Sequence, residues 1–264
     1  MSAHVERRPA SPAETQSANR SWWDGEATSY YIEHGAFLGD ADFIWGPEGW
    51  TEAELGLLAA QAGQYVLEIG AGAGQCGRWL DAQGVRVVST DLSAGMLGVG
   101  RDINTRTGAA LPLAQCDALA LPFADGSFDT VFTAYGAVPF VADSGALMRE
   151  VARVLRPGGR FVFSTTHPLR WALPDDPGPE GLRVVHSYFD TTPYVESDGA
   201  AATYVEHHRT VGDRVREIVA AGLTLVDLIE PTWRPANTET WGGWSPLRGA
   251  LVPGTAIFVA HRPE

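Results

Sequence analysis

The chain has 264 residues, 45% of them hydrophobic and 19% charged, with a net charge of −13. That length builds one sizeable core with at most an appended lid. No apolar run approaches the roughly 18 residues of a membrane span, and so acidic a surface disfavours nucleic-acid phosphates as a partner. Every fixed positive charge is an arginine. With no lysine in the sequence, Schiff-base chemistry and the P-loop lysine are excluded. The two cysteines, Cys76 and Cys116, read as reduced thiols in predicted helix and strand. They suit a reducing, cytoplasmic compartment and are a poor basis for a zinc site, so no metal is expected.

Residues 1–18 are polar and contain Pro, Ser and Ala without an apolar h-region, which predicts a disordered leader rather than a secretory signal. Residues 19–62 are dense in aromatics, including Trp22, Trp23, Tyr30, Tyr31, Phe37 and Trp45. Ser21 is a candidate cap for a helix over Trp22–His34. The segment reads as a helical lid whose rings either pack on a sheet or wall off a small-molecule pocket. Thr51 and Glu54 form a capping box that opens a helix through about Ala62.

From residue 63 the alternation is regular. Strands are predicted at Tyr65–Ile69, Val85–Thr90, Leu113–Cys116, Phe128–Thr133 and Arg160–Thr165. Helices are predicted near Gly74–Gln83, Ala94–Thr105 and Asp143–Leu155, the last stopped by Arg156-Pro-Gly-Gly159. Strands alternating with helices of this length mean a doubly wound, mostly parallel sheet. Residues 168–182 hold four prolines and read as loop. Tyr204–Arg209 reads as an added strand, and residues of about 168–212 as inserted substrate-side elements. Thr210 and Asp213 open a helix ended by Gly222. Strands Leu223–Ile229 and Thr255–His261, joined by a Trp-rich loop, suggest a closing antiparallel pair.

Open α/β sheets bind ligands at the carboxyl ends of their strands, and four such ends can be read. Tyr65-Val-Leu-Glu-Ile-Gly-Ala-Gly-Ala-Gly74 sets a strand against a turn of Gly70, Gly72 and Gly74. There glycine allows unusual φ/ψ and leaves room for a ligand against backbone. Gly72-Ala-Gly74-Gln-Cys-Gly77 also fits the dinucleotide pattern G-x-G-x-x-G, with Asp91 about 20 residues on. In the competing frame, Glu68 precedes the first glycine and suits an amine-bearing ligand better than a pyrophosphate. Asp91 ends Val87-Val-Ser-Thr-Asp91 and can accept both hydroxyls of a ribose. Asp117 lies where a carboxylate can accept the amine of adenine. Thr133-Ala-Tyr135 forms the fourth end.

Four ordered motifs carry a resemblance. They are Leu-Glu-Ile-Gly-Ala-Gly-Ala-Gly, then Thr-Asp-Leu-Ser, then Asp-Ala-x-x-Leu-Pro-Phe-x-Asp-x-Ser-Phe-Asp-x-Val, then Glu150-Val-Ala-Arg-Val-Leu-Arg-Pro-Gly-Gly159. Over about residues 64–165 the chain resembles the small-molecule, type 11-like class I S-adenosylmethionine-dependent methyltransferases. The resemblance implies a Rossmann-like seven-stranded sheet with an antiparallel last strand and a methyltransferase domain over residues 63–264. Its cofactor would be S-adenosyl-L-methionine and its product S-adenosyl-L-homocysteine. Carried over, Gly70, Gly72 and Gly74 line the methionine part and ribose, and Glu68 sits near the amino-acid end. Asp91 holds the ribose, Leu92 and Met96 touch adenine, and Asp117 with Ala118 brackets its edge. Ala134 and Tyr135 line the methionine side, and Tyr30, in Ala27-Thr-Ser-Tyr30, closes over the cofactor.

The implied reaction is methyl transfer to O, N or C of a small aromatic or hydrophobic metabolite, by a monomer or homodimer with no nucleic-acid or membrane partner. The alternatives are a catalytically silent cofactor-binding protein and a nicotinamide oxidoreductase. Candidate bases are His167, after the strand Arg160–Thr165, and His207 and His208, which alternate faces on the added strand. His34, Tyr31 and Glu206 are further possibilities.

Overall fold

A computed structural model describes residues 4–199 and 201–264. The predicted leader departs from expectation. His4–Arg7 is a strand (β1), and a 27-residue helix (α1, Pro12–Leu38) begins well before Ser21. Ser11 is the true cap. Its hydroxyl accepts the Glu14 N–H, and Pro12 takes the first helical position, where its missing N–H costs nothing. Residues 1–3 lie outside the described residues. Helix α1 ends at Gly39, whose φ of 69° an L side chain rarely adopts.

The capping box at Thr51 is present, but its helix α2 (Glu52–Leu55) is one turn long and stops at Gly56 in the left-handed region. The buried Glu52 carboxylate explains the stop. It accepts the N–H groups of Leu57 and Leu58 and the Trp45 indole N–H, drawing the chain into a loop.

The regular alternation follows as read, within two residues at each end. It runs β2 (Tyr65–Ile69), α3 (Gln75–Asp81), β3 (Arg86–Asp91), α4 (Ala94–Thr107), β4 (Leu113–Gln115), β5 (Phe128–Ala134) and α5 (Ser144–Val154). Strand β6 (Leu155–Thr166) starts earlier than expected. Its pairing with β5 jumps from Phe128↔Leu155 to Thr130↔Arg160, so the Arg156–Gly159 turn becomes an irregularity within the strand.

After two 3-10 turns, Pro168–Ala172 and Pro179–Leu182, come β7 (Tyr194–Asp198) and β8 (Ala201–Glu206). The predicted added strand is therefore half of a hairpin, and it ends at Glu206 rather than Arg209. Strand β7 also pairs with β1, so the two ends of this small sheet come from remote parts of the chain. Helix α6 (Val211–Ala220), capped by Thr210 and Asp213, leads to β9 (Thr224–Ile229). A short α7 (Pro246–Gly249) precedes β10 (Thr255–His261).

The main sheet has the order β4-β3-β2-β5-β6-β10-β9. Its parallel strands run to β6, and β10 is inserted antiparallel between β6 and β9. Burial on both faces accounts for the apolar runs. Leu67, Val131, Phe161, Phe163 and Phe258 pack with Leu147 and Val151 of α5 on one face. Their strand neighbours Val66, Phe132, Val162 and Ile257 pack with Phe43, Trp45 and Leu80 on the other. Among the described residues no helix is long and apolar enough to cross a membrane.

Candidate active site

The carboxyl ends of β2, β3 and β5 open into one cavity of about 390 Å³, roofed by α1 and by the segment around Trp241–Trp244. At the β2 end, Gly70 and Gly72 have φ of 65° and 55°. A Cβ on Gly70 would lie 2.7 Å from the Ala137 amide nitrogen, so the turn at β2 and the turn after β5 touch backbone to backbone. Gly74 does not border the cavity. It precedes α3 at φ 80°, and a Cβ there would lie 3.0 Å from Leu111. Gly77 is likewise a packing glycine, whose Cβ would meet the Glu68 carboxylate at 2.8 Å.

Glu68 lies buried beneath the turn, and its Oε2 accepts the Ser89 hydroxyl. Burial raises its pKa to about 7, against the pull of the Ser89 hydrogen bond and Arg78. Asp91 accepts two backbone N–H groups, from Gly72 on Oδ2 and from Ser93 on Oδ1, each at 2.8 Å. Burial pushes its pKa up to about 6, and these bonds oppose the shift. A carboxylate has about four acceptor positions, so Asp91 keeps capacity for a diol. Asp117 accepts the Leu119 N–H at 2.8 Å and the side-chain amide of Gln16. Gln16 belongs to α1, and nothing local in the sequence signals that it reaches this edge.

Leu92, Met96, Ala118, Ala134, Tyr135 and Tyr30 also line the cavity. Tyr135 has φ 60°, a conformation L residues pay for in strain, and its buried hydroxyl has no partner among the described residues. Arg78 is drawn away from the cavity by the Asp40 and Ala73 carbonyls. The one arginine among the described lining residues is Arg170, in the 3-10 turn after β6.

The described walls include none of His167, His207 and His208. His167 faces Glu230 at 2.8 Å and accepts the Leu169 N–H on Nδ1. His207 bonds the Thr15 hydroxyl at 3.0 Å, and His208 donates to the Tyr188 carbonyl at 2.7 Å. Burial lowers all three, His207 to about 4. The expected alternation of His207 and His208 fails because β8 ends one residue before them. Glu206, the last strand residue, borders the cavity instead. Tyr204, Trp23, Phe140, Trp241 and Trp244 line the same cavity. His34 stacks on Trp241 with centroids 4.0 Å apart. Tyr31 lines the wall, with its hydroxyl bonded to Asp40.

A methyltransferase domain profile (Methyltransf_11) matches residues 67–163. The demethylmenaquinone methyltransferase of Beutenbergia cavernae is 41% identical over 123 residues, which is 47% of this chain and 49% of that protein. The ubiquinone/menaquinone biosynthesis C-methyltransferase UbiE of Cellvibrio japonicus is 37% identical over 127 residues, 45% and 50% of the two chains. The chain thus spans about half the length of the curated relatives it matches. A solved S-adenosylmethionine dependent methyltransferase from Mesorhizobium loti superposes with a TM-score of 0.65 at 29% identity, covering 82% of this chain and all of that one. The Burkholderia thailandensis 1,6-didemethyltoxoflavin-N1-methyltransferase, solved with 1,6-didemethyltoxoflavin and S-adenosylhomocysteine, shares the fold. Its TM-score is 0.64 at 19% identity, over 99% of this chain and 95% of that one.

Proposed function

The chain carries a class I S-adenosylmethionine-dependent methyltransferase domain, and from that premise we propose that it methylates a small aromatic acceptor. The observation that carries this reading is the crevice shared by Glu68, Asp91, Asp117 and a glycine turn that side chains would fill. Its donor set suits the ligand. An amine, a ribose diol and a purine amine are hydrogen-bond donors, and three carboxylates are acceptors. A dinucleotide's pyrophosphate would ask for positive charge at the same place, and Arg78 is turned elsewhere.

In this reading Asp91 holds the ribose, and Asp117 with Gln16 holds the purine edge between Leu92, Met96 and Ala118. Gly70, Gly72, Ala134 and Tyr135 border the amino-acid end, above the buried Glu68. Tyr30 and α1 close the roof. Bound there, the sulfonium supplies a methyl group already activated for transfer. The protein's own part is to orient the acceptor and exclude water, and orientation contributes up to roughly 7–11 kcal/mol in ideal cases. Aromatic walls also attract a sulfonium, by about 0.5–2 kcal/mol.

The relatives are named for demethylmenaquinone and for ubiquinone and menaquinone biosynthesis. However, Trp23, Tyr204, Glu206 and Trp241 lie outside the matched residues 67–163. The acceptor is therefore assigned from this chain's own walls, as an aromatic ring of small-molecule size. Titration calorimetry with S-adenosylmethionine, S-adenosylhomocysteine and NADH tests the reading. Binding of both sulfur nucleosides without NADH supports it, and the reverse pattern overturns it.

A further inference from the structure

Resting on the methyl-transfer reading, we propose that Glu206 is the base that takes the proton of a phenolic hydroxyl on the acceptor ring. Three features meet at this residue. It ends β8 with its side chain on the cavity wall. Tyr204, two residues earlier and on the same face, donates its hydroxyl to Glu206 Oε1 at 2.6 Å and fixes the carboxylate in place. The Tyr204 ring stands 5.7 Å from Phe140, and both line the cavity with Trp23, so the carboxylate shares its wall with an aromatic slot.

The charges beside Glu206 choose between an amine and a phenol. Arg170 lines the same cavity, paired to Asp175 at 3.3 Å, and its charge acts on Glu206. That positive charge favours an oxygen becoming anionic, and it acts on Glu206 more strongly than either of the opposing charges, Asp175 and Glu196. The O–H proton passes to the carboxylate while its electron pair stays with the acceptor. That pair, on oxygen or through the ring on carbon, forms the bond to the methyl carbon; on the carbon route the C–H proton of that carbon then leaves and the oxygen regains a proton, restoring the aromatic phenol. The carbon–sulfur bond breaks with its pair going to sulfur, leaving a neutral thioether, and Glu206 later returns the proton to solvent. Burial raises the Glu206 pKa above the ordinary carboxyl value, which makes its carboxylate a stronger proton acceptor. The groups that bear on it are Tyr204 on its own strand, Glu196 on β7, Arg170 in the 3-10 turn and Asp175 in the loop beyond.

1-Naphthol is the probe. It is a photoacid, which on excitation gives its proton to water or to a base in hydrogen-bond contact and emits as naphtholate, so emission is read from the bound fraction alone and compared between wild type and variant. With the full-length protein saturated in S-adenosylhomocysteine, bound 1-naphthol is expected to emit as naphtholate. The emission is lost as pH falls through the raised pKa of Glu206. Glu206→Gln keeps S-adenosylhomocysteine affinity within about twofold and shifts the emission to the neutral form. Tyr204→Phe keeps naphtholate emission and moves its loss to higher pH, because a donor to the carboxylate is gone. Neutral emission from the wild type, naphtholate emission unchanged in Glu206→Gln, or no binding of 1-naphthol to the saturated protein overturns the proposal. Failure of S-adenosylhomocysteine itself to bind counts instead against the methyl-transfer reading.

Discussion

The parallel sheet and its roof are built by different rules. In the sheet, the functional groups cluster at the carboxyl ends of their own strands, as Glu68 and Gly70 flank the end of β2 and Asp91 closes β3. The roof draws α1, the β7–β8 hairpin and the Trp241–Trp244 segment from three distant parts of the chain. Asn19 shows how it is tied. Its amide donates to the Phe140 and Val205 carbonyls and accepts the Val205 N–H, all at 2.9–3.0 Å. The difference separates what is fixed by local backbone geometry from what is fixed by long-range hydrogen bonds.

Substitutions that strike one region should leave the other readable. The largest expected effect is at Asp91→Ala, which removes a charged acceptor of about 1.5–3 kcal/mol per bond. With two ribose bonds lost, S-adenosylhomocysteine affinity should fall on the order of 100-fold or more by calorimetry. Roof hydrogen exchange should stay as in the wild type. Gly70→Ala comes next. The left-handed backbone alone costs roughly 1–2 kcal/mol, and the contact with Ala137 adds to it. The denaturation midpoint should drop by an amount matching at least that cost. Asn19→Ala leaves buried backbone groups unpaired, at about 1–3 kcal/mol. Faster exchange should be confined to α1 and β8, and an even loss across the main sheet would break the distinction between the regions.

Lowering pH acts with opposite sign on His207 in the roof and on the crevice carboxylates Glu68 and Asp91. His207, tied to Thr15 in the roof, has its folded pKa depressed to about 4, below its ordinary value. Unfolded chains therefore take up its proton first, and its contribution to stability falls as pH drops from about 6.5 to 4. Glu68 and Asp91 have raised folded pKa values of about 7 and 6. The folded state takes up their protons first, so the ligand-free crevice gains stability as pH falls through those values. Exchange measured from pH 7 to pH 4.5 should show the roof loosening while the crevice holds. Affinity for S-adenosylhomocysteine should weaken below about pH 6 as Asp91 is neutralised. The smallest effect is expected at Gln16→Ala, a few-fold loss of nucleoside affinity with unchanged stability of the sheet.

The same distinction decides what the sequence discloses. Strand Tyr65–Ile69 and strand Thr255–His261 have the bounds read from their apolar runs, and Glu68, Asp91, Asp117 and Tyr135 reach one cavity because parallel strands align their carboxyl ends. Gly74 escaped because a turn glycine and a packing glycine look alike in sequence. The start of α1 was legible in Ser11-Pro-Ala-Glu14, a capping signature within a stretch of leader-like composition. Gln16 at Asp117 was not legible as a contact, and Glu206 stood only among the further candidate bases, with no place at the wall. Each depends on how α1 and β8 cross the sheet ends, which no periodicity encodes. His207 and His208 were misplaced for a related reason: β8 ends at Glu206, three residues before the expected Arg209, and their rings meet Thr15 and Tyr188 instead of the cavity.

The central claim is that the strand-end carboxylates hold one nucleoside. A crystal structure with S-adenosylhomocysteine tests it most directly. The account predicts ribose hydroxyls on Asp91, the adenine amine against Asp117 and Gln16, and the sulfur facing the aromatic slot that ends at Glu206. A nucleoside bound outside this crevice, or one inside it that leaves Asp91 without a ribose contact, would contradict the account.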